Sequence, residues 1–202
     1  MSQSLMQKAL GEDWQRLPEV IRKHYQITGE GQSRLEGVMT IDYPHYLYPV
    51  VWLIHMFGGL VLWRGSSVRA DVNKTVTDGI LNWKRTLTYP DGKVDYFRSQ
   101  MHYAGNNRLI ETIGFGFGLT LRVTVDNGDL LYRSAGHFWR CGNFQLNIPD
   151  WLLLGSATIR EHAVSEDAFY LDFTLKHPLW GVSYYYRGNF RYRAPTEPRK
   201  GL

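Results

Sequence analysis

Two periods divide the chain. Over roughly the first 28 residues the apolar positions follow helical spacing, and from Ser33 they alternate with a period of two. Leu5–Leu10 reads as one or two amphipathic turns. Leu17–Tyr25 (LPEVIRKHY) reads as a second helix. Pro18 stands at the tolerated first position, and Arg22, Lys23 and His24 fall in the last turn, where the helix dipole favours cations. Gly29 and Gly31 break it.

Leu35, Val38 and Ile41 predict the first strand, with Gly37 as a candidate bulge. Val68, Ala70 and Val72 alternate with Arg69, Asp71 and Asn73. Leu81, Trp83, Arg85, Leu87 and Tyr89 share one face of the next run. Runs over 94–101, 109–115, 119–125, 130–135, 157–164, 169–176 and 182–192 complete the series, and 149–154 predicts a helical turn. Tyr89-Pro90-Asp91-Gly92 is a turn signal, and Asp126-Asn127-Gly128-Asp129 is the strongest hairpin signal in the chain. The expected fold is mainly β. About nine or ten antiparallel strands in consecutive hairpins form one curved sheet, a lipocalin-like barrel or half-barrel, behind N-terminal helices. A helix-grip fold would end on a long helix, whereas this chain ends on a strand. One domain is expected over 1–193, with 194–202 as a flexible tail.

One segment breaks the alternation. Tyr46–Trp63 (YLYPVVWLIHMFGGLVLW) has no formal charge in 18 residues, the lower edge of membrane-spanning length. Pro49, Gly58 and Gly59 limit its good helix to Val50–Phe57, which favours a buried or partly exposed helix over a span. A sheet covers only one side of a helix. Part of this segment is therefore expected inside the concave sheet or exposed beside its mouth, as a lid, a membrane-touching patch or a dimer surface.

Composition narrows the classes. Hydrophobic residues at 44% and charged residues at 21% exclude a disordered chain. The single cysteine, Cys141, excludes an intramolecular disulfide and a cysteine zinc cluster. The formal charge of +4 is scattered along the chain rather than gathered in a stripe, so no nucleic-acid partner is expected. Residues 1–11 lack the apolar run of a secretory signal, which with one free cysteine points to the cytoplasm. None of the seven histidines falls in a metal-ligand spacing, and no metal is expected. Gly114-Phe115-Gly116-Phe117-Gly118 runs into a strand, not the helix a dinucleotide loop requires, so it reads as a bend and no cofactor is expected.

The remaining chemistry lies in polar groups on apolar faces. Arg85 shares a face with Trp83 and Leu87, and Glu111 shares one with Leu109, Ile113 and Phe115. If both faces point inward, pairing Arg85 with Glu111 avoids two unpaired buried ions, each costing several kcal/mol; outward faces would leave both solvated. Aromatic residues reach 14%, and Tyr184, Tyr186, Phe190 and Tyr192 alternate in the last strand. Such side chains either fill a barrel or line an apolar pocket. The expected ligand-binding set is Trp83, Arg85, Glu111, Phe115, Tyr184 and Tyr186, and no catalytic residue is assigned.

Leu17–Tyr25, Arg34–Gly37, Trp83-Lys84-Arg85, Ile148–Leu152, His177–Gly181 and Tyr186-Arg187-Gly188 resemble, in order and spacing, the motifs of the domain-of-unknown-function 4166 family. The resemblance covers about residues 5–192. It implies a bacterial domain that some members carry behind an NAD-binding domain similar to saccharopine dehydrogenase, hence a module serving small-molecule metabolism. It transfers no catalytic residue; Trp83 and Arg85 are the pair it singles out. The leading expectation is a non-enzymatic binding module for a small apolar or amphipathic molecule. Two others stay open: an enzyme acting on a small anionic or lipid-like substrate through a buried Arg/Glu pair, and an interaction domain for a dehydrogenase-like partner. Contact with a membrane surface is a further possible role of the apolar segment.

Overall fold

The chain is described from a computed structural model over residues 3–29 and 31–193. The tail expected over 194–202 lies outside the described residues. Helices α1 (Leu5–Leu10) and α2 (Glu19–Tyr25) are joined by a 3-10 turn over Gly11–Arg16. Eleven strands and one further helix follow. They are β1 (Gln32–Asp42), α3 (Tyr48–Met56), β2 (Gly65–Thr77), β3 (Ile80–Thr88), β4 (Val94–Tyr103), β5 (Arg108–Thr112) and β6 (Phe117–Asp126). β7 (Asp129–Cys141), β8 (Phe144–Ile148), β9 (Ser156–Ala163), β10 (Ala168–His177) and β11 (Gly181–Arg193) complete the described residues.

The strands run β6-β5-β4-β3-β2-β1-β11-β10-β9-β7, and β6 pairs back onto β7. Ten antiparallel strands thus close a barrel, of the kind expected for a lipocalin-like fold. Tight turns make this order possible. At the β6–β7 hairpin both Asn127 and Gly128 adopt positive φ, 51° and 87°, the backbone of a type I′ turn whose twist matches the flanking strands.

Two local expectations are corrected. Gly37 is not a bulge: it pairs in register with Ala70 and Phe190, and the register shift on this strand falls between Met39 and Ile41. A Cβ at Gly37 would overlap the Phe190 ring and the Asn189 carbonyl, so the glycine serves close approach instead. The second correction is β7, which does not stop at Ala135. Gly136 adopts φ 123°, the register against β6 shifts there, and the strand continues. Its first half, Leu130–Arg133, pairs with β9, and its second half, His137–Cys141, pairs with β8 outside the ring. β8 left little signal because Phe144 and Leu146 are exposed rather than part of the core.

The two barrel ends are closed differently. At the end where β1 begins, α1 and α2 form a plug. Ser4 caps α1, its hydroxyl accepting from Gln7 N while Gln7 Oε1 accepts from Ser4 N at 2.8 Å. Met6, Leu10, Trp14, Leu17, Val20 and Ile21 are buried beneath the plug, each contributing roughly 1.5–3 kcal/mol.

At the opposite end α3 and the chain to Arg64 lie across the mouth. Gly58, at φ 77°, ends the helix by donating to His55 O. The next residues, Leu60, Val61 and Leu62, are buried without secondary structure, and side chains satisfy their backbone. Tyr43 Oη donates to Leu62 O, Tyr184 Oη to Val61 O and Tyr89 Oη to Trp63 O, while Leu62 N donates to Asp95 Oδ2. Val51 is fully buried, but Trp52, Leu53 and Met56 remain exposed. The apolar segment is thus a lid exposed on its outer side. Among the described residues no helix is long and apolar enough to cross a membrane.

Candidate ligand-binding cavity

Alternation along the strands points one face of each inward, and these side chains do not fill the barrel. A cavity of about 330 Å³ remains. Its walls are apolar: Leu35, Met39, Val72, Leu87, Phe173 and Phe190 contribute, with Leu53, Ile54 and Phe57 from the lid. Besides His137, whose ring is held by Asp150, the polar groups beside it form two sets.

The first set lies under the plug. Lys74, Glu161, Tyr132 and the α2 residues His24 and Tyr25 are all buried. Cross-strand register puts Lys74 opposite Trp83, and the ammonium lies 4.2 Å from the centres of both the Trp83 and Tyr25 rings. Lys74 Nζ is 2.5 Å from His24 Nδ1 and donates to His24 O. Tyr132 Oη donates to Tyr25 Oη at 2.5 Å, and Tyr25 Oη donates to Glu161 Oε1 at 2.7 Å. His24 Nε2 and Glu161 Oε2 stand 3.2 Å apart.

Burial sets the protonation of this set. It pulls the Lys74 pKa down to about 7, against the pull of Glu161, and that of His24, with Lys74 beside it, down to about 4. Burial pushes Glu161 up, but His24, Lys74 and Tyr25 outweigh it and hold the carboxyl below its ordinary value. Tyr25 and Tyr132 are driven well above theirs, chiefly by burial and the Glu161 charge. The hydroxyls are therefore neutral donors, and the chain of donors converges on Glu161. Its effect is to latch the plug helix to β2, β7 and β9.

The second set lies higher on the wall. Arg85 on β3, Ser99 on β4 and Glu111 on β5 point inward. Arg85 Nη1 donates to Ser99 Oγ at 3.2 Å, and Ser99 Oγ donates to Glu111 Oε1 at 2.5 Å. The guanidinium lies over Trp83 at 4.5 Å and Phe97 at 4.8 Å. Burial raises the Tyr186 hydroxyl to about 12, Arg85 opposing and Glu111 adding.

Of the six residues expected from the sequence, Trp83, Arg85, Glu111 and Tyr186 line this cavity together. Tyr184 points inward and is buried, but it packs on Tyr43 and Phe173 beneath the lid rather than on the cavity. Phe115 is 74% exposed. A 3-10 turn over Gly114–Gly116 interrupts the alternation, and Phe115 itself adopts φ 58°. Its ring meets Phe57 on the outside. The gap left by Gly118 is occupied by the Phe138 ring, not by open space.

Sequence reasoning missed the latch. The parity argument that singles out Arg85 and Glu111 also applies to Lys74, on the face of Val68, Ala70 and Val72, and to Glu161, on that of Ala157 and Ile159. His24 and Tyr25 had no such signal, because the docking site of α2 is a property of the assembled barrel.

A family model described as Domain of unknown function (DUF4166) matches residues 17–190. The chain belongs to this family. The match begins at the Leu17 that opens the LPEVIRKHY motif and ends within β11, so it takes in α2, the barrel and both polar sets. No curated protein and no solved structure matches the chain.

Proposed function

We propose that this member of the family is a non-enzymatic binding module for a small apolar or amphipathic molecule. The ligand's apolar body lies against Leu35, Val72 and Phe173, and its polar end meets Arg85 and Glu111. The observation that carries the reading is an apolar cavity of about 330 Å³ in the barrel, where a packed core would otherwise stand. That volume falls within the ~300–1,000 Å³ of small-molecule sites, which are likewise apolar with a few placed polar groups.

Titration with Nile red, a neutral amphipathic dye, tests it, together with native mass spectrometry of the gently purified protein. Saturable one-site binding is expected. Ala157 lines the cavity, so Ala157→Phe occupies it and should weaken the dye by about tenfold or more. A protein that shows a clean apo mass and no saturable dye binding overturns the reading.

A further inference from the structure

Resting on that binding reading, we infer that the ligand's polar end is a neutral group that both accepts and donates hydrogen bonds, such as a carboxamide. Carboxylate and ammonium ends are discriminated against.

The argument begins with the unused hydrogen-bonding capacity of Arg85 and Glu111. Trp83 and Phe97 lie against the guanidinium, so its free directions are the in-plane N–H groups. Of these, among the described residues, only Nη1 makes a hydrogen bond, to Ser99. Nη2 lies 3.9 Å from Glu111 Oε1, beyond hydrogen-bond reach. That oxygen already accepts from Ser99. Among the described residues nothing takes the Arg85 Nε and Nη2 donors or the Glu111 Oε2 acceptor. None of the three is sealed from solvent-sized space, and the two side chains keep 18% and 12% exposure inside the barrel. A group seated there meets donors on one side and an acceptor on the other.

Charge then selects among such groups. Beside the cavity Arg85 and Lys74 face Glu111 and Glu161, and a further buried carboxylate, Asp95 under the lid, has its two oxygens taken by the backbone N–H groups of Leu62 and Tyr96. An ion entering the cavity therefore finds no unpaired counter-ion. A carboxylate satisfies Arg85 but meets Glu111; an ammonium satisfies Glu111 but meets Arg85. Burial lowers the affinity of Lys74 for its proton, which makes the interior still less receptive to an anion. A carboxamide uses both partners and adds no charge.

Competition against Nile red by decanamide, decanoate and decylammonium at neutral pH separates the possibilities. The amide should bind about tenfold or more tighter than either ion, the scale of one unpaired interior charge. Glu111→Gln should reverse the order in favour of decanoate, because Arg85 then lacks its counter-charge. Arg85→Gln should favour decylammonium. The inference is overturned if wild-type protein binds decanoate or decylammonium as tightly as decanamide, if Glu111→Gln leaves the order unchanged, or if Nile red binds and decanamide does not compete. Should a variant fail to fold by circular dichroism, the wild-type series alone decides. Failure of Nile red itself to bind counts instead against the binding module.

Discussion

His24, fully buried on the inner face of the plug, lies flat on Phe169 with ring centroids 4.5 Å apart. Its folded-state pKa is about 4, against an ordinary 6.5. Between these values the unfolded chain binds more protons, so stability falls as pH drops through that window and the loss is complete below about 4. The size is on the order of 3 kcal/mol. Urea midpoints measured from pH 6.5 downward should fall, and His24→Gln should flatten that slope; an unchanged slope would assign it to another group. Lys74 acts in the same direction at higher pH: with a folded pKa near 7 against 10.5, stability rises with pH between those two values. Glu161 tests the latch itself. Glu161→Gln removes the charge on which the Tyr132–Tyr25 chain ends and which offsets the burial of Lys74, and should cost about 3–5 kcal/mol, while adding Lys74→Met should recover part of that loss. Additive single effects in this cycle would show that the two do not act as one network.

The elements were legible to the extent that one face met the core. β3 and β4 alternate between interior and solvent along their length and β11 does so from Gly188 onward, and their periods of two predicted them. β5 ended earlier than its apolar run, because Gly114 and Gly116 admit a 3-10 turn that alternation does not encode. β8 was invisible for the opposite reason, since its apolar residues Phe144 and Leu146 contribute nothing to the core. The wall pair Arg85 and Glu111 was readable as polar residues on apolar faces. The bridging Ser99 was not, because a serine on either face raises no conflict. Glycine in strands carried meaning that only the assembled sheet reveals. Gly188 on β11 faces Met39 of β1, and a Cβ there would overlap the Val38 carbonyl and the Met39 backbone, neither of which can swing away. Gly188→Ala should therefore destabilise by about 1–3 kcal/mol, lowering the thermal midpoint by several degrees for a chain of this size. A midpoint within one degree of wild type would mean that β1 and β11 separate at little cost.

At the scale of the whole molecule the barrel is asymmetric, and the asymmetry assigns a direction to ligand entry. The plug end is sealed by packed apolar side chains and by the latch. The lid end leaves large apolar side chains in solvent, among them Trp52, Leu53, Phe57, Phe144 and Trp151. Aromatic contacts run from the lid across the rim: Phe57 to Phe117 at 5.0 Å, Phe117 to Trp139 at 6.5 Å, and Trp139 to Phe144 at 6.3 Å. Leu53 and Phe57 are at once partly exposed and part of the cavity lining, so the apolar path from surface to interior is continuous there. α3 spans only Tyr48–Met56 and is followed at once by Gly58 and Gly59, a short element on a glycine joint that can move without unpairing a strand. Apolar ligands should therefore enter beneath α3. In stopped-flow mixing with Nile red, Leu53→Glu and Phe57→Glu should each slow association by about tenfold, because a charge at the threshold must be desolvated as the ligand passes. Phe144→Glu, on β8 outside the ring, should leave the rate within about twofold. Equal slowing by all three would place entry elsewhere on the rim, and no slowing by any of them would move it to the plug end.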